Sequence, residues 1–212
     1  MIVLTEDIGC HTVLATTCDD SVGEVFDKIA RNLPPSVCRG IRSGATIEKI
    51  ALQQNTYGAN INYHDSYETF DFSFSGLKTA TLAALSSDCS ESSIAGVMKN
   101  FHDLVEKILI SKLVNCIELC KGSGIKINKL VLGGGVSANK IIRTAFKNLG
   151  GINGLDTITA QTKMGTDNAT MIGFSSILRL QVVKPLKLQY TIPDFPLGYL
   201  KDDDQYLLQY AH

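Results

Sequence analysis

The stretch Lys129–Asn148, KLVLGGGVSANKIIRTAFKN, decides the fold of this chain. An apolar run enters three glycines, and a short polar turn then opens an amphipathic run of helix formers, which predicts a strand, a glycine turn and a helix. The first amides of such a helix have no partner within the helix and lie at the positive end of its dipole. The stretch therefore indicates a seat for a nucleotide or phosphate, with Asn139 able to donate and accept hydrogen bonds there. The alternative is a strand-to-helix turn that needs glycine only for its geometry.

A second strand is predicted over residues 155–160, parallel to the first and joined to it by a right-handed crossover. Gly133 to Ala138 also fits the G-x-G-x-x-A pattern of dinucleotide-binding enzymes. Such enzymes carry an acidic residue at the end of the following strand, whereas Asp156 precedes the strand. A dinucleotide enzyme is therefore a remote alternative, and bound NAD fluorescence would reveal it.

Composition narrows the class of protein. The 212 residues are 44% hydrophobic, enough for one large domain or for one and a half small ones. The formal net charge of −1 gives no general attraction to nucleic acid. The six cysteines show no CxxC spacing, so we expect reduced thiols, with Cys116 and Cys120 packed one helical turn apart. No apolar run approaches the roughly 18 residues of a membrane span, and we expect no membrane partner.

Residues 19–33, DDSVGEVFDKIARNL, predict a helix with an apolar face. Ser21 and Glu24 form a capping-box pair at its start. Asp27 lies one turn beyond Gly23 on the polar side. That side is either a solvated face or a place where a ligand lies against bare backbone while the Asp27 carboxylate accepts hydrogen bonds from sugar hydroxyls.

A loop over residues 34–44 should separate this helix from a second one, ATIEKIALQ (45–53). Gly44 and Glu48, at its start and in its first turns, form a second candidate ligand-facing position. Further on, alternating phenylalanines over residues 70–74 predict a strand or extended segment that leads into a helix at Ser75. Lys78 then opposes the helix dipole, so it is either a surface lysine or the partner of an anion.

Two more helices are predicted. Residues 92–120 form a long amphipathic helix that Gly122 and Gly124 end. Residues 164–180, MGTDNATMIGFSSILRL, begin another helix with Asp167 as N-cap and with four apolar side chains behind it: Ala169, Ile172, Phe174 and Ile177. Residues 185–212 should form a tail over the surface.

Four motifs resemble one known family. They are DDSVGEVFDK (19–28), DFSFSGLKTA (71–80), VLGGGVSAN (131–139) and GTDNATMIGF (165–174). Their wording and order resemble the tRNA threonylcarbamoyladenosine synthase family, TsaD or Gcp, in its bacterial and mitochondrial form. The resemblance extends from about residue 2 to residue 197, which predicts one partial family domain over 1–197 and a C-terminal tail over 198–212.

This resemblance implies an α/β fold of the actin-like, sugar-kinase-like ATPase type (ASKHA). It implies transfer of threonylcarbamoyl from threonylcarbamoyl-AMP to N6 of the adenosine 3′ of the anticodon, in tRNAs that read codons starting with A. By motif, ribose would bind Asp27, and the rest of the adenylate pocket would come from Gly44, Glu48, Ala138, Asn139 and Thr166. Asp167 would be a ligand of one divalent ion of the Fe or Zn/Mg class.

The sequence also departs from the family pattern. The family's H-x-x-x-H metal motif and SGGHT-like phosphate loop are both missing, and SGATIEK stands in place of a PGG form. We therefore expect an incomplete fold, mainly the C-terminal lobe, with metal binding weak or absent and little transfer activity in the chain alone. The lobe-facing surface, including residues 1–4, should be apolar and prone to self-association, which makes a homodimer possible.

Two interpretations of the departures stay open. The chain is either part of an active enzyme, or a non-catalytic truncated paralogue or isoform that acts as an interaction protein. An upstream, in-frame H-x-x-x-H followed by SGGHT in the gene would favour the first. The branch of the resemblance predicts a mitochondrial protein, with the cytoplasm as the alternative.

Overall fold

The structure is a computed structural model that describes residues 1–8, 10–38, 42–54, 60–65, 69–87, 90–160, 165 and 168–180. The fold class is α/β, and the chain divides into two compact units, one of Met1–Thr16 with Asp167–His212 and one of Thr17–Thr166. Within the described ranges, no helix has the length and apolar character to cross a bilayer. In chain order the elements are β1 (Ile2–Asp7), β2 (Cys10–Ala15), α1 (Val22–Asn32), α2 (Pro35–Cys38), α3 (Gly44–Gln53), α4 (Ser75–Ser87), α5 (Glu91–Gly122), β3 (Lys129–Leu132), a 3₁₀ turn (Gly135–Ala138), α6 (Lys140–Ile152), β4 (Asp156–Thr159) and α7 (Ala169–Leu180).

The first unit contains a hairpin and a helix. Strands β1 and β2 pair antiparallel with Leu4 opposite Thr12, so the expected N-terminal strand has its partner in the next segment of the chain. Helix α7 begins as predicted, but Asn168 caps it, because its Oδ1 accepts the amide of Met171 at 2.9 Å. The N-cap assignment to Asp167 was thus wrong by one residue. The apolar side chains of α7 are exposed within this unit; Phe174, for example, is 62% exposed.

The second unit is organised around the 32-residue helix α5, against which α3, α4 and α6 pack. Ser90 caps α5 by accepting the amide of Ser93 at 3.3 Å. Gly124, at φ 72°, ends it, and the Ile125 amide returns to the Cys120 carbonyl at 2.9 Å as in a Schellman motif. The predicted helix and its glycine stop are confirmed.

The glycine stretch forms the predicted β-α-β unit. Strands β3 and β4 are parallel, with Leu130 opposite Thr157. One side of this sheet supplies Leu130 to a core with Ile117, Phe146 and Leu149. On the other side Val131 is 69% exposed and Ile158 47% exposed. Self-association through a lobe-facing apolar surface that includes residues 1–4 remains a prediction.

One local prediction was wrong, and of the two alternatives for the phenylalanine segment the strand is not formed. The segment 34–44 is not all loop, because Pro35–Cys38 forms one helical turn and α3 begins at Gly44 itself. The phenylalanine segment forms only an isolated bridge, Thr17 with Phe72, among the described residues. It leaves that bridge after one residue because the Phe74 amide bonds to the Asp19 carboxylate at 2.8 Å. Alternation here reflects buried Phe72 and Phe74 rather than a strand.

Candidate functional site

Helix α1, helix α3 and the glycine turn before α6 meet at one place. The Asp27 Oδ1 accepts the amide of Gly44 at 3.0 Å, which joins α1 to α3. The Glu48 Oε1 accepts the amide of Lys140 at 2.7 Å, which joins α3 to α6. A Cβ on Gly23 would lie 3.6 Å from the Val136 side chain, so α1 also lies against the 3₁₀ turn. The polar side of α1 is therefore an intramolecular junction at this point, and it brings Asp27, Gly44 and Glu48 to the start of α6.

Gly44 is required at the junction by space. A Cβ there would lie 3.0 Å from Cβ of Phe26, a core side chain that is 4% exposed and packed edge-on against Phe101. The absence of a side chain lets the first turn of α3 approach α1 closely enough for the Asp27 bond. Asp27 uses one acceptor position in that bond, so most of the hydrogen-bonding capacity of its half-buried carboxylate remains for a ligand.

The first turn of α6 is not an open phosphate seat. Asn139 caps the helix, and its Oδ1 accepts the amides of Ile141 at 3.0 Å and Ile142 at 3.1 Å. The third amide of this turn, that of Lys140, donates to the Glu48 Oε1. Because protein oxygens occupy all three amides, an anion reaches them only by displacing Glu48 or Asn139. The prediction that this helix start binds a ligand directly is corrected accordingly.

The glycine loop itself stays accessible. Gly133 and Gly134 are exposed with open space at their Cβ positions, and Gly134 has a φ of 78° that favours glycine. In the described part of the chain, no protein acceptor takes the amides of Gly134 and Gly135. Arg143 braces this loop, because its guanidinium donates to the carbonyl of Ser137 at 2.7 and 3.0 Å and to that of Ala160 at 3.3 Å. The anion-binding capacity thus lies in the loop amides, one turn before α6.

The side chain of Asn139 is hydrogen-bonded to that of His102 on α5. Its Nδ2 lies 2.8 Å from the His102 Nε2, and both side chains are nearly or fully buried. Burial lowers the pKa of His102, against the raising effects of the Asn139 bond and of the carboxylates of Asp103 and Glu48, so the imidazole is neutral. Sequence spacing did not single out His102, since its partner lies 37 residues away.

The DDSVGEVFDK motif and the DFSFSGLKTA motif are partners. The Asp19 carboxylate accepts hydrogen bonds at the start of α4, including one from the Ser75 hydroxyl at 2.7 Å. Asp20 bridges Lys28 at 2.8 Å and Lys78 at 2.6 Å. Of the alternatives for Lys78, the carboxylate partner is the one observed. Hydrogen bonds from Lys28 and then Lys78 lower the pKa of Asp20. The two motifs thus fix the start of α1 against α4, which orients Asp27.

Comparison with known proteins shows which family combines these motifs. A sequence model of TsaD, tRNA N6-adenosine threonylcarbamoyltransferase, matches residues 1–174. The chain belongs to this family. A tRNA N6-adenosine threonylcarbamoyltransferase of Ehrlichia ruminantium is 33% identical over 185 residues, which are 84% of this chain and 51% of that protein. Proteins of the same name from Ehrlichia chaffeensis and Clostridium kluyveri are each 34% identical, over 82% and 93% of this chain and 50% and 57% of theirs. The chain spans about half the length of these curated relatives.

The TsaD resemblance placed two further site residues, Thr166 and Asp167, and both lie outside the described residues. Ala138 is described; it is half-buried at the end of the 3₁₀ turn, next to Asn139. The described residues contain no group of three His, Cys, Asp or Glu side chains placed to hold a metal ion. Asp167 is not among these described residues, so its assignment as a ligand stays a prediction.

Asp156 argues against the dinucleotide alternative. It pairs with Lys129 at the start of the parallel strands, whereas the glycine loop follows their ends. The Asp156 carboxylate therefore lies at the opposite end of the strands from the loop, where it cannot bind the ribose of a nucleotide bound at those glycines.

Proposed function

We propose that this chain forms the adenylate-binding part of a tRNA N6-adenosine threonylcarbamoyltransferase. The observation that supports this most directly is the pair of hydrogen bonds, Asp27 to Gly44 and Glu48 to Lys140, that gathers three separate motifs at one junction. In the proposed reaction the N6 amine of adenosine attacks the carbamoyl carbon of threonylcarbamoyl-AMP. The bond from that carbon to the phosphate oxygen breaks, AMP leaves, and N6 loses a proton.

Each residue of the junction has a distinct role in this proposal. The free acceptor positions of Asp27 bind ribose hydroxyls, and the amides of Gly134 and Gly135 face the phosphate side. Glu48 holds the start of α6 and has a second carboxylate oxygen for the nucleoside. Asn139 offers one N–H, since its oxygen accepts two helix amides and its other N–H is directed at His102. The junction therefore recognises the adenylate, and the chemistry of transfer needs groups beyond it.

The proposal extends to the fold and the ion. The β-α-β unit and the family membership support an ASKHA-type lobe with Asp167 as one ligand of a divalent ion. Such an ion would withdraw electrons from the phosphate or acyl oxygens when bound. One carboxylate does not hold a divalent ion with useful affinity, and the family's H-x-x-x-H is absent from this sequence. We therefore propose that the 212-residue chain alone has little or no transferase activity.

Binding of AMP tests the adenylate site. Replacing Asp27 with Asn removes the charge that accepts the sugar hydroxyls, and hydrogen bonds to charged groups contribute about 1.5–3 kcal/mol. Isothermal titration calorimetry should show AMP affinity falling about tenfold or more. Asp156→Asn is the matched control, because this exposed carboxylate lies away from the junction. Equal affinities for wild type and Asp27→Asn would refute the assigned role of Asp27.

A single-turnover assay tests the proposed inactivity. Preformed threonylcarbamoyl-AMP and a transcribed tRNA that reads a codon starting with A are mixed with the 212-residue chain, and modified adenosine is quantified by mass spectrometry. We expect modification at background level. Robust modification by the chain alone would contradict the inactivity while supporting the transferase assignment.

The form of the motifs favours the mitochondrion over the cytoplasm as the compartment. Cell fractionation with an antibody to the chain would decide between the two.

A further inference from the structure

We propose that His102 is the positioning residue of the site, holding the Asn139 amide so that one N–H remains for the ligand and releasing it when the imidazole takes a proton. The inference rests on the proposed function in one respect, that Asn139 faces the adenylate. The geometry that carries it is independent of any ligand. His102 and Asn139 come from α5 and from the cap of α6, and their side-chain nitrogens lie 2.8 Å apart.

The orientation of the Asn139 amide is determined by its surroundings. Its oxygen accepts the amides of Ile141 and Ile142, so the nitrogen must be the atom that faces His102. An NH₂ group only donates, and therefore the His102 Nε2 must accept. A neutral imidazole that accepts at Nε2 carries its proton on Nδ1. The His102 Nδ1 has no hydrogen-bond partner in the described part of the chain, so no competing contact favours the other tautomer.

Protonation of His102 creates a conflict that Asn139 cannot resolve. Both ring nitrogens of an imidazolium donate, so Nε2–H would meet the N–H of Asn139. Rotation of the amide by 180° would offer its oxygen to the imidazolium, but would then turn the NH₂ group toward the amides of Ile141 and Ile142. Either outcome loses the cap of α6 or the bond to His102. If the amide rotates, the N–H available to a ligand changes its direction; if it does not rotate, Asn139 loses the contact with His102 that holds that N–H in place.

The other groups around His102 favour the neutral form on balance. The carboxylates of Glu48 on α3 and Asp103 on α5 favour the imidazolium. Against them act complete burial and the positive end of the α6 dipole beside Asn139. Burial is the largest influence and lowers the pKa of His102 below its ordinary value of 6.5. The contribution of neutral His102 to the stability of the folded chain is therefore fully present above pH 6.5 and is lost as the pH falls from there through the pKa of His102 in the folded state.

Nuclear magnetic resonance of the ¹⁵N-labelled 212-residue chain tests the positioning role without ligand. At pH 7.5 we expect the His102 imidazole to carry its proton on Nδ1. On acidification, the side-chain NH₂ resonances of Asn139 should shift with the same midpoint as the His102 ring. A proton on Nε2 at pH 7.5, or Asn139 resonances that do not follow the ring, would overturn the inference.

Adenosine binding tests the consequence, with His102→Gln and His102→Leu as variants. Adenosine lacks the phosphate, which itself titrates near pH 6. For the wild type we expect affinity to fall about fivefold between pH 7.5 and a pH one unit below the His102 midpoint seen by nuclear magnetic resonance, the factor that one neutral hydrogen bond supplies. His102→Gln keeps an acceptor oxygen for Asn139 and cannot titrate, so its affinity should match wild type at pH 7.5 and stay constant. His102→Leu keeps the apolar bulk without an acceptor and should bind about fivefold more weakly at both pH values.

The two experiments separate the inference from the proposed function. If adenosine and AMP fail to bind the wild type while the His102 and Asn139 resonances titrate together, the adenylate assignment fails and the positioning role stands. If the wild type binds and His102→Gln loses affinity with acid as steeply as the wild type does, the pH dependence belongs to another group and the inference is wrong.

Discussion

The substitution Asp19→Asn probes the contact that joins the DDSVGEVFDK and DFSFSGLKTA motifs. The carboxylate of Asp19 accepts four hydrogen bonds, from the Ser73 hydroxyl at 2.6 Å, the Ser75 hydroxyl at 2.7 Å, the Phe74 amide at 2.8 Å and the Ser75 amide at 3.2 Å. Because these donors include the amides at the start of α4, Asp19 serves as the N-terminal cap of a helix 55 residues further along the chain. The loss of its charge should weaken the packing of α1 against α4.

The magnitude follows from proton linkage. Burial by itself would raise the pKa of Asp19, but the four hydrogen bonds outweigh burial and lower the pKa from 3.8 to about 2. At 1.36 kcal/mol per unit this corresponds to about 2.4 kcal/mol as an upper value, and solvent screening of the partly exposed carboxylate reduces it to about 1–2 kcal/mol. The native state keeps this group ionised to a lower pH than the unfolded chain does. The contribution is therefore present above about pH 4 and is lost as the pH falls toward 2.

Urea unfolding monitored by circular dichroism measures the effect. With a denaturant slope of about 2 kcal/mol per molar, the midpoint for Asp19→Asn at pH 6 should fall by about 0.5–1 M. The variant should also lose less stability than the wild type between pH 5 and pH 3. Asp156→Asn, at an exposed aspartate of the same unit, should leave both quantities unchanged. A midpoint for Asp19→Asn within 0.2 M of wild type, or an unaltered loss of stability in acid, would refute the capping role.

Three further substitutions follow from contacts in the same unit. Gly44→Ala places a Cβ 3.0 Å from Phe26, so the free energy of unfolding should fall by about 1–2 kcal/mol and the affinity for AMP should fall as well. In the same urea titrations the control Gly122→Ala, whose Cβ meets nothing within 4 Å, should be neutral or slightly stabilising. Gly150→Ala drives a Cβ into the Thr157 methyl group and should lower the free energy of unfolding by about 2 kcal/mol or more. The adjacent Gly151→Ala places its Cβ in open space and should leave the stability unchanged, so equal effects of the two variants would contradict the packing of α6 on β4. Lys112→Met removes the fully buried ammonium that lies 3.4 Å from Asp65 and 2.8 Å from the Thr69 carbonyl, and should lower the free energy of unfolding by about 3–5 kcal/mol. Adding Asp65→Asn should recover part of this loss, and no recovery would mean that the two charges are not coupled.

Local chemistry made several elements predictable from the sequence. The cap Ser21, the glycine stop of α5 and the parallel pairing of β3 with β4 each depend on residues close together in the chain, or on a periodicity that a single element must satisfy. The four motifs also sufficed to name the family, because a motif's order and residue types are properties of the sequence. Reduced thiols were expected, and the five cysteines that the structure describes are free.

Other features required contacts between distant segments. The start of α4 lacked a local cap because Asp19 supplies it, and Lys78 opposes the dipole of that helix because Asp20 neutralises it. Alternating phenylalanines left a strand and an extended segment open, since alternation does not distinguish a sheet from two burial sites on an irregular segment. The cap of α7 shifted from Asp167 to Asn168 because adjacent Asp and Asn are equally good caps, and only the backbone direction selects one.

The sequence alone therefore determined most of the helices and strands, the family and the residue types of the proposed adenylate site. The tertiary structure decided how those residues are used: Glu48 and Asn139 occupy the amides of α6, the glycine loop keeps its own amides accessible, and His102 sets the direction of the Asn139 amide. The physical reason is that a hydrogen-bonding group has few positions to offer. Which of them remain for a ligand depends on neighbours that arrive from 37 and 92 residues away.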